Sequence, residues 1–292
     1  MDPTGAKKLI TAIPGLTVVL IMLILSGITL WSMSRSAQVE TEFSRETQKA
    51  KLLSNMRAAL YAAAEAEKSA VLAESDELSQ SNAKRARAST EQVAAALAQY
   101  KRLVDGRSEE ARRLLHFEEA FTEYRKVDEE VLNLAMQDTN LKAFALSFGP
   151  AAKALAKLEQ TLRPSMDSRN KETALQATRA LAGALRIQAL HAAHIAERTE
   201  AHMDALEQRM AAADKEVRAA LNMLGPSRNQ ALADYAEYQK VSVEVVRLSR
   251  QNTNLRSLDM SLGRKMQVLA ECDAALEELK AHLGENMAKT TK

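Results

Sequence analysis

One stretch of sequence occurs twice in this chain, and a repeat of this kind constrains the fold more than any other feature. The two copies are LAMQDTNLKAFALSFG, residues 134–149, and LSRQNTNLRSLDMSLG, residues 248–263, which a shift of 114 residues aligns. The same shift pairs further identical residues: Tyr124 with Tyr238, Lys126 with Lys240, Val127 with Val241, Glu130 with Glu244 and Val131 with Val245. We therefore expect one structural arrangement to be built twice.

The repeat continues upstream with weaker similarity. LAESDE, which begins at Leu72, matches IAERTE, which begins at Ile195, at a shift of 123 residues. The larger shift upstream indicates that the first copy contains a longer connection between its helices. The sequence predicts two related helical-bundle units, residues 40–162 and 163–283, followed by a short C-terminal tail, residues 284–292.

The composition predicts long helices and almost no strand. The 292 residues include 5 Pro and 9 Gly, and aromatic residues make up 4%, while strong helix formers such as Ala, Leu, Glu, Lys and Arg are abundant. Val127, Val131 and Leu134 recur at helical spacing. Ser89 or Thr90 ahead of Gln92 resembles a capping box and predicts a helix start there. The predicted fold is all-α, with an N-terminal transmembrane helix followed by two tandem antiparallel four-helix-bundle-like units.

Several functional classes find no support in the sequence. The 40 basic and 38 acidic residues are interspersed, so no basic tract indicates a nucleic-acid partner. The chain contains no glycine-rich phosphate loop, no His-Glu-x-x-His zinc helix and no Gly-x-Ser-x-Gly nucleophile elbow. We expect neither an enzyme nor a bound cofactor. The single cysteine, Cys272, excludes an internal disulfide and is expected to be a small buried residue.

The polar residues shared by the two copies predict a corner between helices. Asp, Thr and Asn are poor in helix interiors and good at helix starts, because their side chains can accept hydrogen bonds from free backbone N–H groups. The predicted corner residues are Asp138, Thr139 and Asn140 in the first copy and Asn252, Thr253 and Asn254 in the second. An alternative is one long helix, since the step from Leu134 to Leu141 keeps heptad spacing. Beyond the corner, Gly149-Pro150 predicts a bend, and Gly263 without a proline predicts a milder one.

Residues 9–31 form an uncharged apolar segment near the N-terminus. The segment is long enough to cross a hydrocarbon core of about 30 Å, so the sequence predicts a membrane anchor that contacts the lipid bilayer. Lys7 and Lys8 precede it, which predicts that residues 1–8 are cytoplasmic and that the bulk of the chain is periplasmic. The expected location is the bacterial inner membrane, with a single span. A cleaved signal peptide is the alternative interpretation.

Two histidines are the sharpest candidates for metal chemistry. His191 and His194 are three residues apart, which places both imidazoles on one face of a helix. The repeat argues against a shared metal role, since the upstream shift matches them to Lys68 and Val71 in the first unit. Ordinary packing histidines are the alternative.

Arginines on the first helix of each predicted unit are candidates for ligand binding. They are Arg57 in the first unit and Arg179 and Arg186 in the second. A guanidinium group can donate two parallel hydrogen bonds to a carboxylate, so a cleft containing such a residue suits a carboxylate ligand. A solvated helix surface is the alternative.

The layout resembles a known family of sensory proteins. An N-terminal membrane helix precedes long helices in which LAMQDTN or LSRQNTN leads into a further helix that contains LSFG or MSLG. This layout is similar to the four-helix-bundle sensor domain of methyl-accepting chemotaxis receptors, here duplicated. The resemblance implies a periplasmic bundle that binds a small molecule and transmits a small helix displacement. A second membrane span, a HAMP-like linker and a cytoplasmic hairpin are not found in the sequence, so signalling would need a partner.

Three functional hypotheses follow. The first is a membrane-anchored sensor or ligand-binding module that relays through a membrane protein partner or works as a homo-oligomer. The second is a structural or assembly accessory subunit of a larger bacterial membrane complex. The third is a metal- or haem-binding bundle.

Overall fold

The structure is a computed structural model that describes the backbone of residues 4–290. Side-chain surroundings are described from residue 39 to residue 288, and for Met22, Ser26, Trp31 and Arg35 before that range. The all-α prediction is confirmed, because every regular element within residues 4–290 is helical. No helix in the described part of the chain is long and apolar enough to cross a membrane. Most side chains of the predicted anchor, residues 9–31, lie outside the described residues, so the anchor stays a prediction.

Ten α-helices and two short segments of other helix types make up the described chain. In chain order they are α1 Thr4–Val71, α2 Asp76–Lys101, α3 Glu109–Ala135, α4 Thr139–Leu146, a π-helical segment Ser147–Ala151, α5 Ala152–Met166, α6 Lys171–Ala196, α7 Glu200–Asn222, a 3-10 segment Gly225–Ser227, α8 Arg228–Gln251, α9 Thr253–Leu262 and α10 Arg264–Thr290.

Three of these helices directly follow a residue whose side chain accepts hydrogen bonds from amides of the first turn. Ser75 Oγ accepts from the amide of Leu78 at 3.3 Å before α2, and Ser108 Oγ accepts from the amide of Ala111 at 3.1 Å before α3. Asn170 Oδ1 caps α6 in the same way. The helix start expected at Ser89 or Thr90 is wrong, because α2 is continuous through both residues.

Irregular backbone follows each copy of the corner. The segment Ser147–Ala151 is π-helical and contains Pro150, which has no N–H to donate. Gly263 has φ −100° and ψ −98°, which separates α9 from α10. Both places interrupt regular α-helix, and the milder bend expected at Gly263 stays a prediction.

The described residues form two compact units. The second unit comprises Leu60–Glu91 and Ala120–Glu271, and the first comprises the other described residues. In the first unit the buried carboxylate of Glu110 accepts hydrogen bonds from Lys49 Nζ at 2.8 Å and Tyr100 Oη at 2.7 Å. The spatial units are assembled from separate stretches of chain, and the repeat units 40–162 and 163–283 stay a prediction from sequence.

The second compact unit has an apolar core between α5, α6, α7 and α8. Leu158, Ile187, Val217 and Tyr235 are among its fully buried side chains. Gly183 permits a close approach of two helices, because a Cβ atom at this position would lie 2.5 Å from Val217 Cγ2. This packing holds α6 and α7 together along the faces that also carry the candidate binding residues.

Candidate functional site

The predicted corner residues lie at the N-termini of α4 and α9, where two helices replace the single long helix of the alternative prediction. Asp138 has φ 50° and ψ 38°, and Asn252 has φ 52° and ψ 35°. Both are in the left-handed region, which Asp and Asn enter more readily than most residues. Neither side chain caps its own helix, so the free N–H groups of α4 and α9 need other partners.

Each helix start finds those partners in the other copy of the repeat. The amide of Thr139 donates to Thr253 Oγ1 at 3.2 Å, and the amide of Thr253 donates to Thr139 Oγ1 at 3.2 Å. The amide of Asn140 donates to Asn254 Oδ1 at 3.0 Å, and the amide of Asn254 donates to Asn140 Oδ1 at 3.3 Å. The partners are 114 residues apart, which equals the repeat shift. The corner is therefore a reciprocal contact between equivalent residues.

A second set of hydrogen bonds in the corner follows the same symmetry. Asn254 Nδ2 donates to Asp138 Oδ1 at 2.9 Å, and Asn140 Nδ2 donates to Asn252 Oδ1 at 2.8 Å. The copies differ at one atom: Asn252 Nδ2 donates to the carbonyl oxygen of Glu197 at 3.0 Å, whereas Asp138 Oδ2 is buried without a hydrogen-bond partner among the described residues. Burial raises the pKa of Asp138.

The corner also holds the C-terminus of α6. Asn140 Nδ2 donates to the carbonyl oxygen of Ile195 at 2.8 Å, and Asn252 Nδ2 donates to that of Glu197. Carbonyl groups at a helix end have no intrahelical partner. Three helix termini therefore share one hydrogen-bonded cluster.

His191 is fully buried between two hydroxyl groups. Its Nδ1 lies 3.1 Å from Ser147 Oγ, and its Nε2 lies 2.8 Å from Ser242 Oγ. A neutral imidazole offers one donor and one acceptor, and a hydroxyl can serve either. Burial, with a smaller contribution from the neighbouring His194, lowers the pKa of His191 to about 4. His191 is therefore neutral at physiological pH.

His194 is also buried, but it faces a carboxylate. Its Nδ1 lies 2.7 Å from Ser249 Oγ, whose hydroxyl donates to the His194 carbonyl oxygen at 2.9 Å. Its Nε2 lies 3.0 Å from Glu207 Oε1. Arg250 Nε donates to Glu207 at 2.6 Å, and hydrogen bonds from Arg250 and His194 lower the pKa of Glu207.

The two histidines thus use their ring nitrogens in contacts with protein groups. Among the described residues, no group of three or more His, Cys, Asp or Glu side chains could hold a metal ion. A metal site at His191 and His194 stays a prediction. No third ligating side chain joins them among the described residues.

Two of the three candidate arginines line one pocket. Arg179 and Arg186 project from α6 into a pocket of about 430 Å³ between α6 and α7. Arg186 Nη1 donates to Glu216 at 3.0 Å, whereas Arg179 forms no ion pair within the described part of the chain. Ala219 and Met223 contribute apolar surface to the same pocket. The pocket thus combines a guanidinium group without a protein carboxylate and an apolar wall.

Arg57, the third candidate, belongs to the first compact unit. Its Nη2 donates to Asp273 at 3.0 Å, and its Nη1 donates to Glu277. Both carboxylates come from α10. Arg57 therefore pairs with carboxylates of its own unit, whereas Arg179 and Arg186 belong to the second unit.

A smaller pocket of about 230 Å³ has the opposite charge. Glu207 and Asp214 contribute carboxylates to it. Arg250 pairs with Glu207 at 2.6 Å and Arg218 pairs with Asp214 at 2.9 Å. Because both carboxylates already have arginine partners, this pocket has less capacity for a charged ligand than the pocket at Arg179.

Sequence reasoning missed a buried ionic cluster in the second compact unit. Lys265 and Asp128 form an ion pair with side chains that are 1% and 3% exposed. The ammonium group of Lys265 also lies 3.8 Å from the ring centroid of Tyr124. Glu67 is fully buried beside this pair, and neither of its oxygens makes a hydrogen bond of normal geometry to another described residue. Burial raises the pKa of Glu67 and of Asp128, although Lys265 lowers both.

The buried faces of α1 and α6 show how this cluster relates to the histidines. Fully buried positions include Leu60, Ala63, Glu67 and Ala70 on α1 and Ala184, Ile187, His191 and His194 on α6. The two sets have the same spacing at a shift of 124 residues. His191 and His194 are therefore equivalent to Glu67 and Ala70. The predicted match to Lys68 and Val71 is wrong by one residue. It extended the alignment of LAESDE, which follows α1, with IAERTE, which begins inside α6, and did not use the buried faces.

Comparisons with known proteins identify the family. The model of a family described as a four helix bundle sensory module for signal transduction matches residues 6–182, which is more than half of the chain. No curated protein and no solved structure matches the chain. The predicted resemblance to a chemoreceptor-type sensor domain is confirmed by the family match, and the chain belongs to the family of four-helix-bundle sensory modules for signal transduction.

Proposed function

We propose that this chain is a non-catalytic sensory module that binds a small carboxylate in the pocket between α6 and α7. The observation that supports this most directly is the placement of Arg179 and Arg186 in one pocket of about 430 Å³. A guanidinium group forms two parallel hydrogen bonds with a carboxylate. Arg179 has no carboxylate partner among the described residues, so a ligand can supply one.

The rest of the pocket favours a small organic ligand over an inorganic ion. Ala182, Ala219 and Met223 line it together with the two arginines. These side chains can cover a short carbon skeleton while the guanidinium groups hold the charged end. Glu216 pairs with Arg186 at 3.0 Å and limits the positive charge of the pocket, which favours one carboxylate group over several.

Ligand binding at this pocket can alter the position of α6. The pocket residues lie on α6 and α7, and the C-terminus of α6 is held by Asn140 and Asn252. A ligand shifts a conformational equilibrium only by its difference in affinity for the two states. Contacts to two helices at once provide such a difference when the helices move relative to each other.

The proposal includes an anchor and a partner. Residues 9–31 would hold the chain in the bacterial inner membrane with residues 1–8 in the cytoplasm. The helical modules would then lie in the periplasm, and a membrane protein partner or a second copy of the chain would carry the signal onward.

The test is ligand-dependent thermal stabilisation of the full chain in mild detergent. The panel contains small monocarboxylates, dicarboxylates and amino acids, with alkylamines as opposite-charge controls. A carboxylate at 100 times its Kd should stabilise the chain by about 2.7 kcal/mol. Arg179→Ala should abolish the stabilisation, whereas Arg209→Ala, an exposed arginine on α7 outside the pocket, should preserve it.

Two results would contradict the proposal. One is the absence of stabilisation by every carboxylate in the panel, and the other is full stabilisation of Arg179→Ala. Purification of the full chain from membranes tests the partner separately. A stoichiometric membrane complex together with no carboxylate effect would indicate an accessory subunit instead of a ligand sensor.

A further inference from the structure

We infer that the corner is an interlock between the two copies of the repeat, in which each copy supplies the helix cap that the other lacks. The interlock consists of Asp138, Thr139 and Asn140 with Asn252, Thr253 and Asn254. Its consequence is that α4 and α9 can begin only together. This inference goes beyond the proposed ligand and does not depend on it.

The first step is the pattern of capping. An ordinary helix start is capped by the residue that precedes it, as Asn170 does for α6. Asp138 and Asn252 occupy that place before α4 and α9, but neither caps its own helix. The oxygen atoms that accept from the first amides come from the other copy, at distances of 3.0 to 3.3 Å.

The second step is reciprocity. When residue i of one surface contacts residue j of another and j also contacts i, the surface is self-complementary, as in a two-fold symmetric dimer. Here the amides of Thr139 and Thr253 each donate to the hydroxyl of the other. Asn140 and Asn254 repeat the pattern. The partner that fits one corner is a second corner of the same kind, and the duplication supplies it within one chain.

The third step is burial. Thr139 and Thr253 are 3% and 2% exposed, so water cannot replace a lost cap at little cost. A buried amide without a hydrogen-bond partner is unfavourable. Loss of a cap oxygen in one copy therefore destabilises the start of the helix in the other copy.

Site-resolved amide hydrogen exchange of the full chain tests the interlock. Thr253→Val removes the hydroxyl that accepts from the amide of Thr139 but leaves the amide of Thr253 bonded to Thr139 Oγ1. Exchange should rise about fivefold at the first turn of α4, since a cap contributes about 1 kcal/mol and tenfold corresponds to about 1.4 kcal/mol. Thr139→Val should produce the mirror result at the first turn of α9.

Two controls define the specificity of the effect. Thr253→Ser keeps a hydroxyl and should leave exchange at α4 unchanged. Asn170→Ala removes an ordinary cap and should raise exchange only at the first turn of α6, its own helix. The hydroxyls of Thr139 and Thr253 also contact each other at 3.1 Å, and each single variant breaks this shared contact. The double variant Thr139→Val/Thr253→Val should therefore lose less thermal stability than the sum of the single losses.

Three outcomes would overturn the interlock. In the first, Thr253→Val raises exchange in α9 but not in α4. In the second, exchange rises equally in all helices, which would mean that the hydroxyl acts only through global stability. In the third, the losses of the two single variants are additive.

Discussion

The second compact unit contains two buried polar sites at equivalent positions of the repeat, and they differ in charge. The equivalent residues are His191 and Glu67, Ser147 and Ser261, and Ser242 and Asp128. In the first site a neutral imidazole lies between two hydroxyls. In the second, two carboxyl groups lie beside Lys265, whose equivalent at the shift of 114 is Ala151.

The difference shows that the repeat preserves the backbone arrangement but not the way in which polar groups are satisfied. A neutral histidine site needs only hydrogen bonds. A site with buried carboxyl groups needs a cation or a proton, because an uncompensated charge is costly in a protein interior. The two sites should therefore respond differently to mutation and to pH.

Removal of Lys265 should have the largest effect, because it leaves Asp128 and Glu67 without a buried cation. We expect Lys265→Met to lower the free energy of unfolding by about 3 to 5 kcal/mol, the usual cost of breaking a buried ion pair. Thermal melting of the full chain in mild detergent measures it. Lys240→Met is the control, since Lys240 is exposed on α8.

Two further observations sharpen that test. The double variant Lys265→Met/Asp128→Asn should recover part of the lost stability, because it removes the charge left behind. Wild-type stability of Lys265→Met would show that the ion pair does not stabilise the fold.

The histidine site should lose stability as the pH falls. The pKa of His191 is about 4 in the folded chain against 6.5 for a free histidine. The unfolded chain therefore takes up a proton between pH 6.5 and 4 while folded His191 does not, so this group contributes stability above pH 6.5 that is lost on acidification. At about 1.4 kcal/mol per pKa unit, the loss is on the order of 3 kcal/mol.

The variant His191→Gln isolates this contribution from the other titrating groups. Glutamine keeps one donor and one acceptor but does not titrate in this range. The stability difference between wild type and variant should shrink as the pH falls from 6.5 to 4. A difference that stays constant over this range would show that His191 takes up its proton equally in both states.

The corner and the all-helical fold could be predicted from the sequence, because the residue types concerned have a local conformational preference. Asp138, Thr139 and Asn140 are poor helix-interior residues, so their position between two helices follows from local chemistry. The all-α fold class follows from the composition and from the helical spacing of apolar residues such as Val127 and Val131.

Other features depend on contacts that no local preference encodes. Lys265 and Asp128 are 137 residues apart, and a lysine on a helix is usually solvated. Thr90 suggested a helix start, but it lies inside α2, 3.4 Å from Asp128 Oδ2. The equivalence of Glu67 and His191 is visible only from the buried faces of α1 and α6, because a shift of one residue along a helix changes the face by about 100°.

The smallest expected effect concerns Glu67, and its sign is opposite to that of His191. Burial raises the pKa of Glu67 above its ordinary value of 4.5. The unfolded chain then loses its proton at a lower pH than the folded chain, so stability from this group falls as the pH rises from 4.5 through the raised pKa. Below pH 4.5 Glu67 is protonated in both the folded and the unfolded chain, so it does not change how stability varies with pH.

Glu67→Gln therefore provides the matched counterpart of His191→Gln. The amide cannot ionise, so the variant should equal wild type near pH 4.5 and exceed its stability at higher pH, where the unfolded wild-type chain gains stability by ionising Glu67. Melting of both variants over one pH series measures the two slopes. If Glu67→Gln is less stable than wild type at neutral pH, the ionised carboxylate of Glu67 is a favourable partner of Lys265, and the site is a charged triad instead of an ion pair beside a protonated acid.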